Sequence, residues 1–447
     1  MKDKKMFYNM VFSLVIPIAI QNLINVGVSS ADVIMMGKVG EKALAGVSLG
    51  GQIQFIMTLI YFGITSGAAV LTSQYWGKGD IKTIEQVMGI ALKWSVAVAA
   101  LFTIAVQLFP SYLMMVFTND PEVMIEGVKY LRIVSFSYIF IAITMVYLNT
   151  MRSMERVLVS TVVYFCSLLV NIALNAIFIF GFLSIPAMGS FGAGLATLVA
   201  RVFELIIVII YDRKINKVFH FHPSCLKATN PMIKKDFTKF SMPVVINELM
   251  WGTGVSMNAA VLGHLGSSVV AANSVAQVAR QLATVVSFGV ASAAAIMIGK
   301  AIGEKKEEVA KEYGKRFVIL SILVSIVGAF VILLVRPIAM ANMSVSEDAT
   351  KYLSMMMFVM TYFVIAQAYN ATMIVGVFRA GGDTKFGLLL DVSTMWGGSI
   401  LLGALAAFVF HWSVPVVYII LLADELIKLP ITTWRYKSYK WINNVTR

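Results

Sequence analysis

Charged residues and cysteines are scarce in this chain of 447 residues. Asp, Glu, Lys and Arg make up 13% of it and hydrophobic residues 59%, whereas an average soluble domain is about 25% charged and about 45–50% apolar. A water-soluble protein of this size cannot hide so much apolar surface, so the composition excludes a soluble enzyme and a disordered chain. Two cysteines are too few for a disulfide framework.

Motifs for ATP hydrolysis and for common types of catalysis are also absent. The sequence has no P-loop, no Ser/His/Asp constellation and no HExxH-type zinc motif. Its four histidines lack the spacing of a metal site. We therefore expect neither catalytic residues nor a cofactor. Work driven directly by ATP hydrolysis in this chain is not expected, so any energy that it uses comes from an ion gradient, or its process runs downhill.

What the chain has in abundance is long apolar runs. Polar, glycine and proline residues divide it into twelve segments, each long enough to cross a bilayer, which takes about 20 residues. The sequence therefore predicts an all-α membrane protein surrounded by lipid. The predicted spans are 10–36, 43–72, 86–109, 124–149, 157–181, 190–211, 238–263, 269–298, 314–335, 349–377, 386–410 and 414–434.

Lys and Arg are unevenly divided between the connections of these spans. Alternate connections, counted with the termini and the flanking ends of the spans, carry 26 of them on one side and six on the other. The basic side is cytoplasmic by the positive-inside rule, which also explains the net charge of +13 without a nucleic-acid partner. We expect a multi-pass protein of the plasma membrane with both termini in the cytoplasm.

The chain also contains an internal repeat. Shifted by 226 residues, Pro17 falls on Pro243 and Gly77 on Gly303. Two copies of six spans enter the membrane in the same sense, an arrangement typical of transporters whose cleft opens to either side in turn. The predicted organisation is an N-terminal lobe (1–211), a basic cytoplasmic linker (212–237), a C-terminal lobe (238–434) and a cytoplasmic tail (435–447), acting as a monomer.

Polar residues inside the predicted N-terminal lobe are candidates for an ion site. A carboxylate within a span costs about 2.5–3.5 kcal/mol, so Asp32 is either a proton or Na⁺ site or an interfacial residue that reaches the headgroups. Asn171 and Asn175 lie four residues apart on one helix face. Their amides could ligate Na⁺, hold a neighbouring carboxylate or join helices by hydrogen bonds, and the same alternatives apply to Thr197.

In the C-terminal half, Glu248 lies near the middle of a span, with Trp251 on the same helix face. A carboxylate beside an aromatic ring could bind an organic cation, and Glu248 could also carry a proton. The alternative is a protonated glutamate that bonds a neighbouring helix. Asn370 in the tenth span is a weaker candidate of the same kind as Asn171, Asn175 and Thr197.

Other acids near the C-terminal end have simpler interpretations. Asp424 and Glu425 lie about one turn before Lys428, which favours ion pairs. Asp391 lies about one turn beyond the loop that holds Lys385 and is interpreted as the solvated end of a helix.

These residues resemble the multidrug and toxic compound extrusion (MATE) family over nearly the whole chain. The resemblance implies two six-helix repeats and export of drugs, often cationic and aromatic, in exchange for H⁺ or Na⁺. It rests on Pro17, Ala31-Asp32, Met36-Gly37, Ala43-Leu44-Ala45-Gly46, Asn171 and Asn175 before Ile179-Phe180-Gly181, Pro243 with Glu248, and Arg379-Ala380-Gly381-Gly382-Asp383-Thr384.

The resemblance also implies roles for single residues. The span-one aspartate of the family, its central coupling residue, matches Asp32. In one branch an Asn and an Asp join it; Asn171 matches the Asn, but the uncharged Asn175 stands where that branch has Asp. A NorM-like branch has a glutamate that Glu248 resembles and an aspartate near the position of Asn370. Asn175 and Asn370 are thus both uncharged where a branch of the family has an aspartate. Because each difference removes a charge, the coupling ion does not follow from the sequence.

The sequence thus predicts an H⁺- or Na⁺-coupled antiporter for small-molecule drugs or organic cations. The alternative is a flippase for a lipid-linked or oligosaccharide substrate, which would favour cationic residues in its cleft, whereas the mid-span charges here are mostly acidic. The predicted ion-coupling residues are Asp32, Asn171, Asn175, Thr197 and Glu248, with a candidate Na⁺ site at the first four. The predicted substrate-binding residues are Asp32, Glu248, Trp251 and Asn370.

Overall fold

The computed structural model describes residues 2–182, 184–218, 226, 230–342 and 347–446. These residues are largely helical, since a backbone in lipid must satisfy its polar groups internally. The first half contains α1 (Lys2–Val39), α2 (Glu41–Lys78), α3 (Ile81–Leu108), α4 (Pro110–Met115), α5 (Pro121–Val134), α6 (Tyr138–Ser153), α7 (Val157–Phe180) and α8 (Gly189–Lys214). The second contains α9 (Pro231–Gly263), α10 (Ser267–Gly303), α11 (Glu307–Asn342), α12 (Glu347–Ala371), α13 (Thr384–Thr394), α14 (Leu401–Phe408), α15 (Val414–Leu421) and α16 (Asp424–Lys437).

All twelve predicted spans fall on helices, and the prediction of an all-α membrane protein is confirmed. Ten stretches of the described chain are long and apolar enough to cross a membrane. The other two predicted spans are 238–263, on the more polar α9, and 414–434, which is split between α15 and α16. The number of twelve spans and the cytoplasmic termini therefore stay predictions.

Two helices of the second half change their winding. α12 continues as a π-helix over Thr372–Phe378, and a second π-helix over Met395–Ile400 joins α13 to α14. Such wide turns are uncommon and often occur at functional sites. Most side chains of the first π-helix are buried, which is where a membrane protein tolerates irregular backbone.

The chain forms two compact units. The N-terminal unit comprises Ile20–Thr72 and Asp80–Ser241, and the C-terminal unit comprises Met1–Ala19, Ser73–Gly79 and Met242–Arg447. Each has a buried apolar core, with Tyr61 and Tyr138 in the first and Met356 and Tyr418 in the second. The division of the chain into lobes, linker and tail stays a prediction.

The predicted linker is described only in part. α8 ends at Lys214 and α9 begins at Pro231. His220, His222 and Cys225 lie outside the described residues.

Within the C-terminal unit, the ends of α2 and α10 approach each other closely. A Cβ atom at Gly77 would overlap the carbonyl oxygen of Lys300, and one at Gly303 would overlap that of Gln74. Gly77 and Gly303 are counterparts in the repeat, as are Gln74 and Lys300. The same contact is therefore made twice, and glycine is needed on both sides of it.

Candidate functional site

Three of the predicted ion-site residues meet in the N-terminal unit. Asn175 of α7 donates from Nδ2 to Oδ1 of Asp32 on α1 at 2.5 Å, and to Oδ1 of Asn171 at 3.2 Å. Asp32 is half-buried, whereas Asn171 and Asn175 are 5% and 0% exposed. Because α7 turns once between positions 171 and 175, the two amides lie on one helix face. The amide of Asn175 holds the carboxylate, and that of Asn171 accepts from Asn175.

A charged side chain of α8 acts on this cluster. Arg201 of α8 interacts electrostatically with Asp32 and forms an ion pair of 2.5 Å with Glu204. Thr197 donates to the carbonyl oxygen of Ala193 at 3.0 Å. Within the described residues, no hydrogen bond joins Thr197 to Asp32, so its predicted part in the site stays a prediction.

The cluster offers oxygen atoms to a cation. Oδ1 of Asn175 is buried and has no hydrogen-bond partner among the described residues, although buried polar atoms are nearly always satisfied. Carboxylate and amide oxygens are the ligands that hard cations prefer. No group of three or more His, Cys, Asp or Glu suited to a metal occurs in the described parts of the chain, so a cation here would depend on amide oxygens too.

In the C-terminal unit, Glu248 of α9 forms an ion pair with Arg379. The distance from Arg379 Nη2 to Glu248 Oε1 is 2.7 Å, and the side chains are 6% and 11% exposed. Trp251, one turn beyond Glu248, lines a cavity together with Asn258 and Arg280. The carboxylate and the aromatic ring that the sequence places on one helix face thus have different neighbours.

A second group of buried charges lies around Lys428 of α16. Its Nζ is 2.9 Å from Asp391, 2.9 Å from Asp424 and 3.4 Å from Glu425. Asn370 donates to the side chain of Glu425 at 2.7 Å. The ion pairs predicted within α16 are confirmed. The interpretation of Asp391 as a solvated helix end is wrong, since its side chain is 14% exposed and bonded to Lys428.

Sequence reasoning missed the residues whose partners come from distant helices. Arg379 and Glu248 are 131 positions apart, and Asn247 donates to Asp391 across 144 positions, at 3.0 Å. Arg280 lies inside a predicted span, which is a signal that a charge there needs a partner or a function.

One family model matches most of the chain. The MatE model matches twice, over residues 17–177 and over residues 243–405. The two matches begin at Pro17 and Pro243, the prolines that the internal repeat superposes.

Curated relatives match over most of their length. A probable multidrug resistance protein NorM of Haemophilus ducreyi is 26% identical over 412 residues, which cover 89% of this chain and 86% of the relative. An uncharacterized transporter, YisQ, of Bacillus subtilis is 21% identical over 96% of this chain and 94% of its own.

Solved structures share the fold. A MOP superfamily transporter from Pyrococcus furiosus Vc1 superposes with a TM-score of 0.86 at 18% identity, over 96% of this chain and 95% of that one. A multidrug resistance MATE family transporter in an outward-facing conformation superposes with a TM-score of 0.84 at 19% identity, over 96% of both chains.

Proposed function

The chain belongs to the MatE family, and from this membership we propose that it is an antiporter that exports organic, often cationic, compounds across the plasma membrane. Uptake of H⁺ or Na⁺ drives the export by alternating access. The curated relatives named NorM, which are described as probable multidrug resistance proteins, support this class of substrate. The protein acts as a monomer, with both termini in the cytoplasm.

The bond between Asp32 and Asn175 is the observation that carries this proposal. A carboxylate inside a membrane span is costly unless it has a partner or a task. Here the carboxylate accepts a hydrogen bond from the amide of Asn175, and Arg201 acts on it electrostatically without an ion pair. Asp32 therefore keeps a negative charge to offer to a proton, to Na⁺ or to a cationic substrate.

Coupling follows from competition for that charge. A ligand shifts a conformational equilibrium only as far as its affinities for the two states differ. An ion bound at Asp32, with the amides of Asn171 and Asn175 beside it, displaces the cationic substrate or favours the opposite arrangement of the lobes. Downhill entry of the ion then drives uphill exit of the substrate.

Reconstitution in liposomes tests the proposal. We expect a fluorescent organic cation to accumulate in proteoliposomes when a proton or Na⁺ gradient is imposed, and the two gradients applied separately identify the ion. The Asp32→Asn variant removes the charge but keeps the shape, so it should fold normally and lose at least about 90% of the transport.

Asp212→Asn is the matched control. Asp212 is a buried acid of the same unit that accepts from the hydroxyl of Tyr147 at 2.9 Å and lies 4.0 Å from Nε of Arg213, but it lies outside the predicted site. This variant should keep most of the activity. Normal export by Asp32→Asn, or equal loss in both variants, would contradict the central role of Asp32.

The flippase alternative receives less support. A flippase of this kind would favour cationic side chains in its cleft, whereas the cavity lined by Arg280 also carries Asp424 and Glu425.

A further inference from the structure

A cavity of about 220 Å³ lies within the C-terminal unit. Aromatic side chains, among them Trp251 and Phe363, line it together with several amides and with three charged residues, Arg280, Asp424 and Glu425. Pockets for drug-sized ligands have volumes of about 300–1,000 Å³. The occupant that fits this smaller space is a molecule of one or two rings.

Arg280 is a cation held by neutral groups. It donates from Nε to Oε1 of Gln277 at 2.7 Å and from Nη1 to Oε1 of Gln367 at 3.5 Å. In the part of the chain that the structure describes, no carboxylate lies within ion-pair distance of it, whereas Arg379 bonds Glu248 at 2.7 Å. Glu425 is close enough to Arg280 for an electrostatic interaction but forms no ion pair with it. The guanidinium therefore has room for a carboxylate brought by a ligand, and a charge inside a membrane protein is a candidate functional site.

Two buried polar atoms at the cavity lack hydrogen-bond partners among the described residues. They are Oη of Tyr418, a side chain that is 1% exposed, and Oδ1 of Asn258. Tyr418 is close enough to Arg280 for an electrostatic interaction. A ligand that accepts from the Tyr418 hydroxyl and donates to Asn258 would satisfy both atoms.

The acids supply the opposite charge at the same cavity. Asp424 and Glu425 share Lys428 with Asp391, so three carboxylates have one ammonium group between them. When the carboxylates are ionised, this group has a surplus of negative charge. The side of the cavity formed by Asp424 and Glu425 therefore favours a cationic group.

We propose that this cavity binds a small aromatic zwitterion. Its carboxylate lies against Arg280 and the Tyr418 hydroxyl, and its protonated amine faces Asn258 and the surplus acid. Its ring packs beside Trp251 and Phe363. The inference deepens the proposed function, on which it rests, by naming a class of cargo for the C-terminal unit.

Binding to the purified full-length protein in lipid nanodiscs tests this pairing of charges. The probe is tritiated L-tryptophan, and the competitors are L-tryptophanamide, which lacks the carboxylate, and indole-3-propionate, which lacks the amine. We expect tryptophan to bind about tenfold or more tightly than either competitor, because each competitor gives up one set of charge-assisted hydrogen bonds.

Variants identify the group that holds the carboxylate. Arg280→Gln should weaken tryptophan binding about tenfold or more and leave the affinity for tryptophanamide within about twofold. Tyr418→Phe, which removes one hydroxyl, should fold normally and show a smaller loss in the same direction. Arg152→Gln is the matched control, since Arg152 also donates to a glutamine, Gln21, at 2.8 Å, but belongs to the N-terminal unit.

Equal affinity for the three probes would overturn the proposal. The proposal would also be overturned if a folded Arg280→Gln protein lost affinity for tryptophan and for tryptophanamide equally. It would be overturned as well if Arg280→Gln and Tyr418→Phe both kept the full preference for tryptophan over its two competitors. Equilibrium binding requires no ion gradient, so the Asp32→Asn protein should still bind tryptophan. Failure of the transport assay and failure of this assay are therefore distinguishable.

Discussion

At the scale of single residues, the ion pair between Arg379 and Glu248 decides how the predicted role of Glu248 is to be tested. The carboxylate was predicted to couple an ion or bind a substrate, yet it lies 2.7 Å from a guanidinium, with both side chains largely buried. Removing one partner from such a pair leaves a buried charge, which costs about 3–5 kcal/mol. Loss of export in a single variant would thus mix loss of function with loss of stability.

A double-mutant cycle separates the two effects. We expect Glu248→Gln and Arg379→Gln each to lower the temperature of thermal unfolding, and the double variant to lose less than the sum, because two amides can bond each other. If Glu248 also couples the ion, the double variant should still fail to export a fluorescent cation although it is less destabilised than the sum of the single variants. Recovery of export together with stability would show that the pair is purely structural.

The exposed pair Glu347–Lys351 provides the control cycle. Its side chains are 86% and 67% exposed at an N···O distance of 3.0 Å, and such surface pairs contribute about 0–1 kcal/mol. An interaction energy as large for Glu347 and Lys351 as for Glu248 and Arg379 would contradict the interpretation of the latter as a buried pair on which stability depends.

Residue-level prediction from the sequence worked where the partner lies on the same helix. Asp424, Glu425 and Lys428 have the spacing of one helical turn, and their ion pairs form as predicted. Asp391 was misinterpreted because its partner, Lys428, comes from another helix. No spacing in the sequence shows that kind of contact.

At the scale of helices, the close approach of α2 and α10 rests on glycines. We expect Gly77→Ala to destabilise the protein by about 1–3 kcal/mol, because the new Cβ would meet the backbone oxygen of Lys300, which cannot move aside freely. The temperature of thermal unfolding in detergent measures this loss.

Gly51→Ala is the matched control on the same helix. A Cβ there has no atom within 4 Å, and alanine favours a helix over glycine by about 1 kcal/mol. This variant should be as stable as the wild type or more so. A Gly77→Ala protein that melts at the wild-type temperature would contradict the close contact.

Helix positions were predictable to a greater extent than helix shapes. The apolar runs predicted twelve spans, and helices occur at all of them, because hydrophobicity and segment length can be read directly from the sequence. The π-helices at Thr372–Phe378 and Met395–Ile400 were not foreseen. They depend on packing against neighbouring helices, and composition gives no local signal for them.

At the scale of the whole molecule, the excess of Lys and Arg on one side predicts that both termini face the cytoplasm. In a background of Cys166→Ser and Cys225→Ser, we expect a membrane-impermeant maleimide to label Lys38→Cys in intact cells. Lys440→Cys should react only after permeabilisation. Both native lysines are exposed, so a failure to react reports sidedness, not burial.

Labelling of both positions from the same side would contradict the predicted topology.

The fold class itself was predictable, because a chain so rich in apolar residues has few alternatives to a helical bundle in lipid. The candidate site was predicted in part. Asp32, Asn171 and Asn175 come together, which agrees with one of the alternatives given for the two amides, that they hold a neighbouring carboxylate. The cavity at Arg280 could not be predicted, because it is formed by helices that only the folded chain brings together.

The doubled contact of Gly77 with Lys300 and of Gly303 with Gln74 has an evolutionary consequence. In a two-fold symmetric homodimer, each interface contact occurs twice with the partners exchanged. A half-length ancestor could have made this contact with a second copy of itself, so that one glycine served both sides. After gene fusion each half could mutate alone, which accounts for Asn258 at the counterpart of Asp32 and Asn22 at that of Glu248.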